Sequence, residues 1–228
     1  MDAHEKLLTD WSRQTHHKGK GKYFIKDGIV DPRRWASPTR PRVLLLLKEA
    51  YHEESEHWDL REYVRKLEHP DGTLLNSAYW CYAIQCVARG DLQPVPFRDT
   101  RKSQYEQAVE ALKSSAIVNV KKSEGRSRSL DKEVEDYAKK DGPFIRRQIE
   151  LIKPDVVVCG NTWVLVEHLW PKKDKGYVHD GVYRIGQRVF MNFWHPSRRN
   201  LIHDELKYYA LVGLLLSSKA LSNLAAAA

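Results

Sequence analysis

Cysteine is scarce in this chain: Cys81, Cys86 and Cys159 are the three among 228 residues. An odd number with no Cys-x-x-Cys pair argues against a disulfide framework or a zinc ribbon, and suits a reduced, cytoplasmic setting. Three thiols are also too few for a four-thiolate iron–sulfur cluster within one chain. Long apolar runs are lacking as well. A run such as Val43 to Leu47 is far below the roughly twenty residues of a transmembrane helix, so no membrane partner is expected. Residues 1–20 alternate charges with Trp and Leu instead of forming the apolar centre of a signal peptide. Acidic residues are the minority charge: 38 Lys and Arg against 30 Asp and Glu give a net charge of +8 and a pI near 9.3. That balance favours a polyanionic partner, although many basic proteins only carry solvated lysines.

Hydrophobic residues make up 42% of the chain, enough for a sizeable core. The expectation is one domain over residues 1–224, with 1–41 as a helical, basic extension packed on it and 225–228 as a tail. Four β-rich segments, at 42–47, 116–120, 155–159 and 188–193, organise it. Three are nearly continuous apolar runs, the pattern of parallel strands covered on both faces. Helix-period stretches lie between them at 58–67, 75–87, 103–114 and 130–152, the last divided at Gly142 and Pro143, and a final helix spans 204–216. Residues 181–193 read as a hairpin turning at Gly186-Gln187. The expected fold is α/β: a central, four-stranded, mainly parallel sheet with helices on both faces.

Open parallel sheets bind ligands beyond the carboxyl ends of their strands. After the first strand comes Lys48-Glu49-Ala50-Tyr51-His52, where Glu49 could hold or activate water, cap the following helix or pair with a lysine. After the last come Trp194-His195-Pro196-Ser197-Arg198-Arg199. There an imidazole can donate to a carbonyl or a developing anion, while a hydroxyl and two guanidinium groups suit phosphate. Asn119, amid apolar neighbours, could read a pyrimidine edge or bond to nearby backbone. Lys121, Lys122, Arg126 and Arg128 fit phosphate contacts or simple disorder. No histidine pair has strong metal-ligand spacing; His16 and His17, in a Lys/Gly-rich loop, read as solvated or phosphate-contacting, so neither metal nor cofactor is expected. Gly160-Asn161-Thr162 is too short for a phosphate loop.

In this order the motifs resemble those of the uracil-DNA glycosylase superfamily, from about Arg42 to Leu216. The family's first motif has forms such as Gly-Gln-Asp-Pro-Tyr-His and Gly-Glu-x-Pro-Gly, and Leu47-Lys-Glu-Ala-Tyr-His52 matches either register with Glu49 at an acidic position. Asn119 matches the asparagine of the second strand, Pro154-Asp-Val-Val-Val-Cys-Gly160 the third strand, and His195-Pro196-Ser197 the last motif verbatim. The first-motif glycine and proline are missing, as are the cluster-binding cysteines of one branch. These departures point away from uracil toward a bulkier or modified base, for example in foreign, viral DNA.

The resemblance implies cofactor-free hydrolysis of the N-glycosidic bond of a flipped base. Glu49 would stabilise the cationic sugar or orient water, and His195 would hydrogen-bond the departing base. Asn119 would read the base edge, with Tyr51, Trp58 or Trp80 stacking on it. His52, Lys121, Lys122, Ser197, Arg198, Arg199 and Leu201 would face the DNA, the last three entering or bracing the duplex. A monomer is expected. The competing reading is a DNA-binding module of the same fold without activity.

Overall fold

The computed structural model describes residues 2–18, 23–37, 41–51, 58–91, 96–97, 102–126, 129–197 and 203–221. His52, Arg128, Arg198, Arg199 and Leu201 lie outside these residues.

The fold is α/β, built on one seven-stranded mixed sheet. Its strands are β1 (Gly28–Ile29), β2 (Val43–Glu49), β3 (Ala116–Lys121), β4 (Val156–Gly160), β5 (Lys175–His179), β6 (Val182–Ile185) and β7 (Arg188–Phe193), in the order β1-β3-β2-β4-β7-β6-β5. The four inner strands β3, β2, β4 and β7 run parallel, in register through pairs such as Leu46 with Val118 and Leu44 with Val157. The expected four-stranded sheet is thus the centre of a larger one. β1 adds antiparallel to β3 at one edge, and β6 and β5 extend β7 antiparallel at the other. β6 and β7 form the expected hairpin, with Gly186 at φ 60 in the first turn position.

Both faces of the inner strands are buried, because side chains alternate between two apolar clusters. Val43, Leu45, Leu47 and Ile117 join one cluster. It is completed by α3 (Leu60–Lys66), α4 (Gly72–Ala88), α5 (Lys102–Lys113) and α8 (Asp204–Ser218). Leu44, Leu46, Val118 and Val157 join the other. There they meet α1 (Ala3–Ser12), α2 (Pro32–Trp35), α6 (Asp131–Ile152) and α7 (Trp163–Val166). α4 is buried nearly all round, from Asn76 to Cys86, since it lies against the sheet and packs on both α5 and α8. α1 contributes Leu8 and Trp11 to the second cluster and docks on α6.

α6 is one helix, not two: Pro143 lies inside its 22 residues. Pro143 lacks the N–H that would bond four residues back, but the neighbouring turns carry the helix through. Gly142 is there for a different reason, since a Cβ at this position would lie 2.5 Å from Leu169 Cδ2. The three cysteines are buried and free. No helix among the described residues is long and apolar enough to cross a membrane.

Candidate active site

The His-Pro-Ser turn follows directly on β7. Its backbone is held from below: Asn76 Nδ2, on α4, donates to the Pro196 carbonyl at 2.7 Å, and Lys207 Nζ, on α8, donates to the Ser197 carbonyl at 2.8 Å. Both braces are buried. Gly160, at the end of β4, allows the turn to close in, because a Cβ there would lie 2.8 Å from Leu47 Cδ2 and 3.4 Å from Pro196 Cδ.

Within the turn the Ser197 backbone N–H donates to His195 Nδ1 at 3.1 Å. An amide N–H can only donate, so Nδ1 is bare and the proton of a neutral ring is on Nε2. Burial, reinforced by the positive charges of Lys48 and Lys207, pushes the imidazole pKa down to about 4. His195 is therefore a neutral hydrogen-bond donor at physiological pH.

Glu49 ends β2, beside Lys121 at the end of β3, and the two form an ion pair of 2.9 Å. Their side chains are only 2% and 3% exposed, respectively. Glu49 Oε1 also accepts from the Arg126 N–H at 3.3 Å, and Lys121 reaches Glu133 on α6 at 3.1 Å. The pairing with a lysine that the sequence left open for Glu49 is present. The loop after β3 is drawn onto β2 by the Gly125 N–H, which donates to the Ala50 carbonyl at 2.7 Å. β4 separates β2 from β7, so Glu49 and His195 lie two strand spacings apart across the same edge, roughly 10 Å.

The aromatic candidates divide. Tyr51, directly beyond β2, is 48% exposed and available for stacking. Trp58 is half-buried and packs edge-on to Tyr63. Trp80 is 1% exposed and belongs to the core, edge-on to Phe193 at 5.3 Å, so it offers no free face to a base. Trp194, beside His195, is a further ring that is 38% exposed, and the sequence did not single it out.

Two further expectations are corrected. Lys121 and Lys122 are not phosphate contacts on a loop: Lys121 is paired with two carboxylates, and Lys122 is fully buried against Asp27, Gln148 and the Trp11 ring. Asn119 belongs to this second network. Its backbone N–H and Nδ2 both donate to Asp27 Oδ2, at 2.8 and 3.3 Å, and the residue is 2% exposed. Its amide thus completes the coordination of a buried carboxylate. Asp27 had no signal in the sequence, because its partners lie more than ninety residues away.

His16 and His17 are likewise not in a solvated loop. They form a short turn, Thr15–His17, and both rings meet the buried Asp141 of α6, at 2.7 and 2.9 Å. Elsewhere, an open cleft of about 540 Å³ is lined by Arg34, Tyr82, Arg89 and Glu110 among others, and shares no residue with the strand-end site. Comparison of the chain with models of known protein families found no match, and comparison with curated proteins found none either.

Proposed function

We propose that this protein is a monofunctional DNA glycosylase, which flips a base out of DNA and hydrolyses its N-glycosidic bond. The observation that carries the reading is His195: a neutral imidazole at the carboxyl edge of a parallel sheet, with Nδ1 occupied by the Ser197 amide and Nε2–H free to donate. Such a donor stabilises negative charge developing on a carbonyl oxygen of the departing base, without first having to lose or gain a proton. Glu49, held by Lys121 at the neighbouring strand end, supplies a fixed negative charge on the side where the sugar becomes cationic. Tyr51 and Trp194 are exposed rings at the same edge and suit stacking on an extruded base. The net charge of +8 suits the phosphate backbone.

The substrate is a pyrimidine, and a modified one fits better than uracil, because the first motif has lost its glycine and proline. Foreign DNA, such as that of a phage, would carry such bases; a role in repair would call for damaged ones. The test is to incubate the purified chain with oligonucleotides and phage DNAs bearing uracil and modified pyrimidines, scoring abasic sites against Glu49→Ala. Release from one substrate, lost in the variant, supports the reading; activity unchanged in Glu49→Ala defeats the role given to Glu49.

One observation favours a second reading, a DNA-binding module without chemistry. Both oxygens of Glu49 are engaged and its side chain is 2% exposed, which leaves little room to orient water. Tight, salt-dependent DNA binding with no abasic sites on any substrate would select it.

A further inference from the structure

The cluster around Asp141 has no part in the reaction above. Asp141 is fully buried on α6, and its two carboxylate oxygens lie 2.7 Å from His16 Nε2 and 2.9 Å from His17 Nε2. The three ligand-type atoms lie within 4.8 Å of one another.

Hydrogen bonding beyond the cluster holds the His17 ring in place. Its Nδ1 meets the Ser123 hydroxyl at 3.1 Å, and that hydroxyl meets the Tyr137 hydroxyl at 2.9 Å. Either hydroxyl can turn its proton, so this chain orients the ring whichever ring nitrogen is protonated, with His17 Nε2 aimed at an Asp141 oxygen 2.9 Å away.

We propose that His16, His17 and Asp141 bind a divalent first-row transition metal of the zinc type. Two imidazoles and one carboxylate form a borderline-soft donor set that suits such ions. The Ser123 and Tyr137 hydroxyls supply the outer hydrogen bonds that orient a metal-bound imidazole. Metal–ligand bonds of about 2.0–2.2 Å in tetrahedral geometry set ligand atoms roughly 3.3 Å apart, so the two histidine–carboxylate contacts would open by a few tenths of an ångström while the three atoms, now within 4.8 Å of one another, draw together around the ion. The His16 side chain is 21% exposed, which leaves an approach from solvent and a position for a water ligand. The ion would clasp the turn after α1 to α6 and to the loop after β3, and so fix the amino-terminal segment to the sheet.

The full chain, free of any histidine tag and treated with chelator, is titrated with Zn²⁺ by calorimetry and with Co²⁺ by visible absorption. Expected are one ion per chain, intense tetrahedral Co²⁺ bands, and a Tm that rises by several degrees with Zn²⁺. His16→Ala, at the partly exposed ligand, should keep its circular dichroism spectrum and lose at least tenfold in affinity. Asp141→Asn tests the same point if it folds. Failure of wild-type protein to bind either ion overturns the proposal, and so does unchanged affinity in a folded His16→Ala. Glu49 and His195 are not ligands, so base release and metal binding succeed or fail independently.

Discussion

Lys121 and Glu49 close a 2.9 Å ion pair across the carboxyl ends of two adjacent parallel strands, with side chains 3% and 2% exposed. Lys121 also serves Glu133 at 3.1 Å, so one ammonium balances two carboxylates. Breaking a buried pair by removing one partner costs roughly 3–5 kcal/mol, because the charge left behind is uncompensated. Lys121→Met is therefore expected to lose stability on that scale in urea unfolding. The double variant with Glu49→Gln should recover part of the loss. A cost below about 1 kcal/mol, the range of an exposed pair, would mean that water reaches the carboxylates.

The same ion pair makes Glu49→Gln the informative variant for activity. Glutamine keeps the shape and can still face Lys121, but removes the charge proposed to stabilise the cationic sugar. Loss of one preorganised electrostatic group typically lowers kcat by about 10²–10³-fold, and that is the expected drop in base release, measured at a temperature where the variant is still folded. Single-turnover assays at saturating DNA separate this from weaker binding.

His195 gives a pH signature. Its folded-state value of about 4 lies below the ordinary 6.5, so the unfolded chain binds the proton more readily. The stability this contributes is complete above pH 6.5 and is lost as pH falls toward about 4, an amount on the order of 3 kcal/mol. His195→Asn, which does not titrate, should flatten that part of the stability curve. Base release should stay insensitive to His195 from neutral pH to about one unit above its pKa, then fall as the ring charges. A break near 6.5 instead would show that the ring is solvated and contradict the proton assignment.

The inner sheet was legible because a strand covered on both faces has to be apolar throughout, as in Val43–Leu47 and Val156–Val158. β5 was not, since an edge strand that carries Lys175, Gly176 and a Tyr177 67% exposed has no such pattern. β1, two residues long, leaves no periodicity to read. At the candidate site, the turn at His195 and Ser197 was legible because its motif is contiguous in the chain. Asn76 and Lys207, which brace that turn, come from helices distant in sequence, and a lysine reads as a surface residue until its burial is known. The same blindness hid Asp27 behind Lys122 and Asp141 behind His16 and His17.

Asn119 distinguishes structure from recognition. Its Nδ2 donates to Asp27, which also holds Lys122 and Gln148, so truncation removes one bond from a buried carboxylate. Asn119→Ala is expected to cost roughly 1–3 kcal/mol, the penalty for an under-satisfied buried polar group. The choice among pyrimidine substrates should not change. Altered selectivity with unchanged stability would return the residue to the base edge.

Gly125 and Gly186 form a matched pair of tests for how the loop after β3 supports Glu49. A Cβ on Gly125 would lie 2.5 Å from the Ala50 backbone oxygen and 2.8 Å from Glu49 Cγ, and the first of these is not the end of a flexible side chain. Gly125→Ala must therefore push the loop off β2, which weakens the Gly125 N–H bond to Ala50 and displaces the Glu49 carboxylate. Overpacking of this kind costs roughly 1–3 kcal/mol. At Gly186 there is nothing within 4 Å, but φ is +60, so alanine there is strained by the backbone alone, at about 1 kcal/mol. The two variants should thus lose comparable stability, yet only Gly125→Ala should lower base release well below wild type at a temperature where both are folded. Equal activity in the two would mean that the position of Glu49 does not govern the reaction, and would shift the balance toward His195 acting with a different carboxylate.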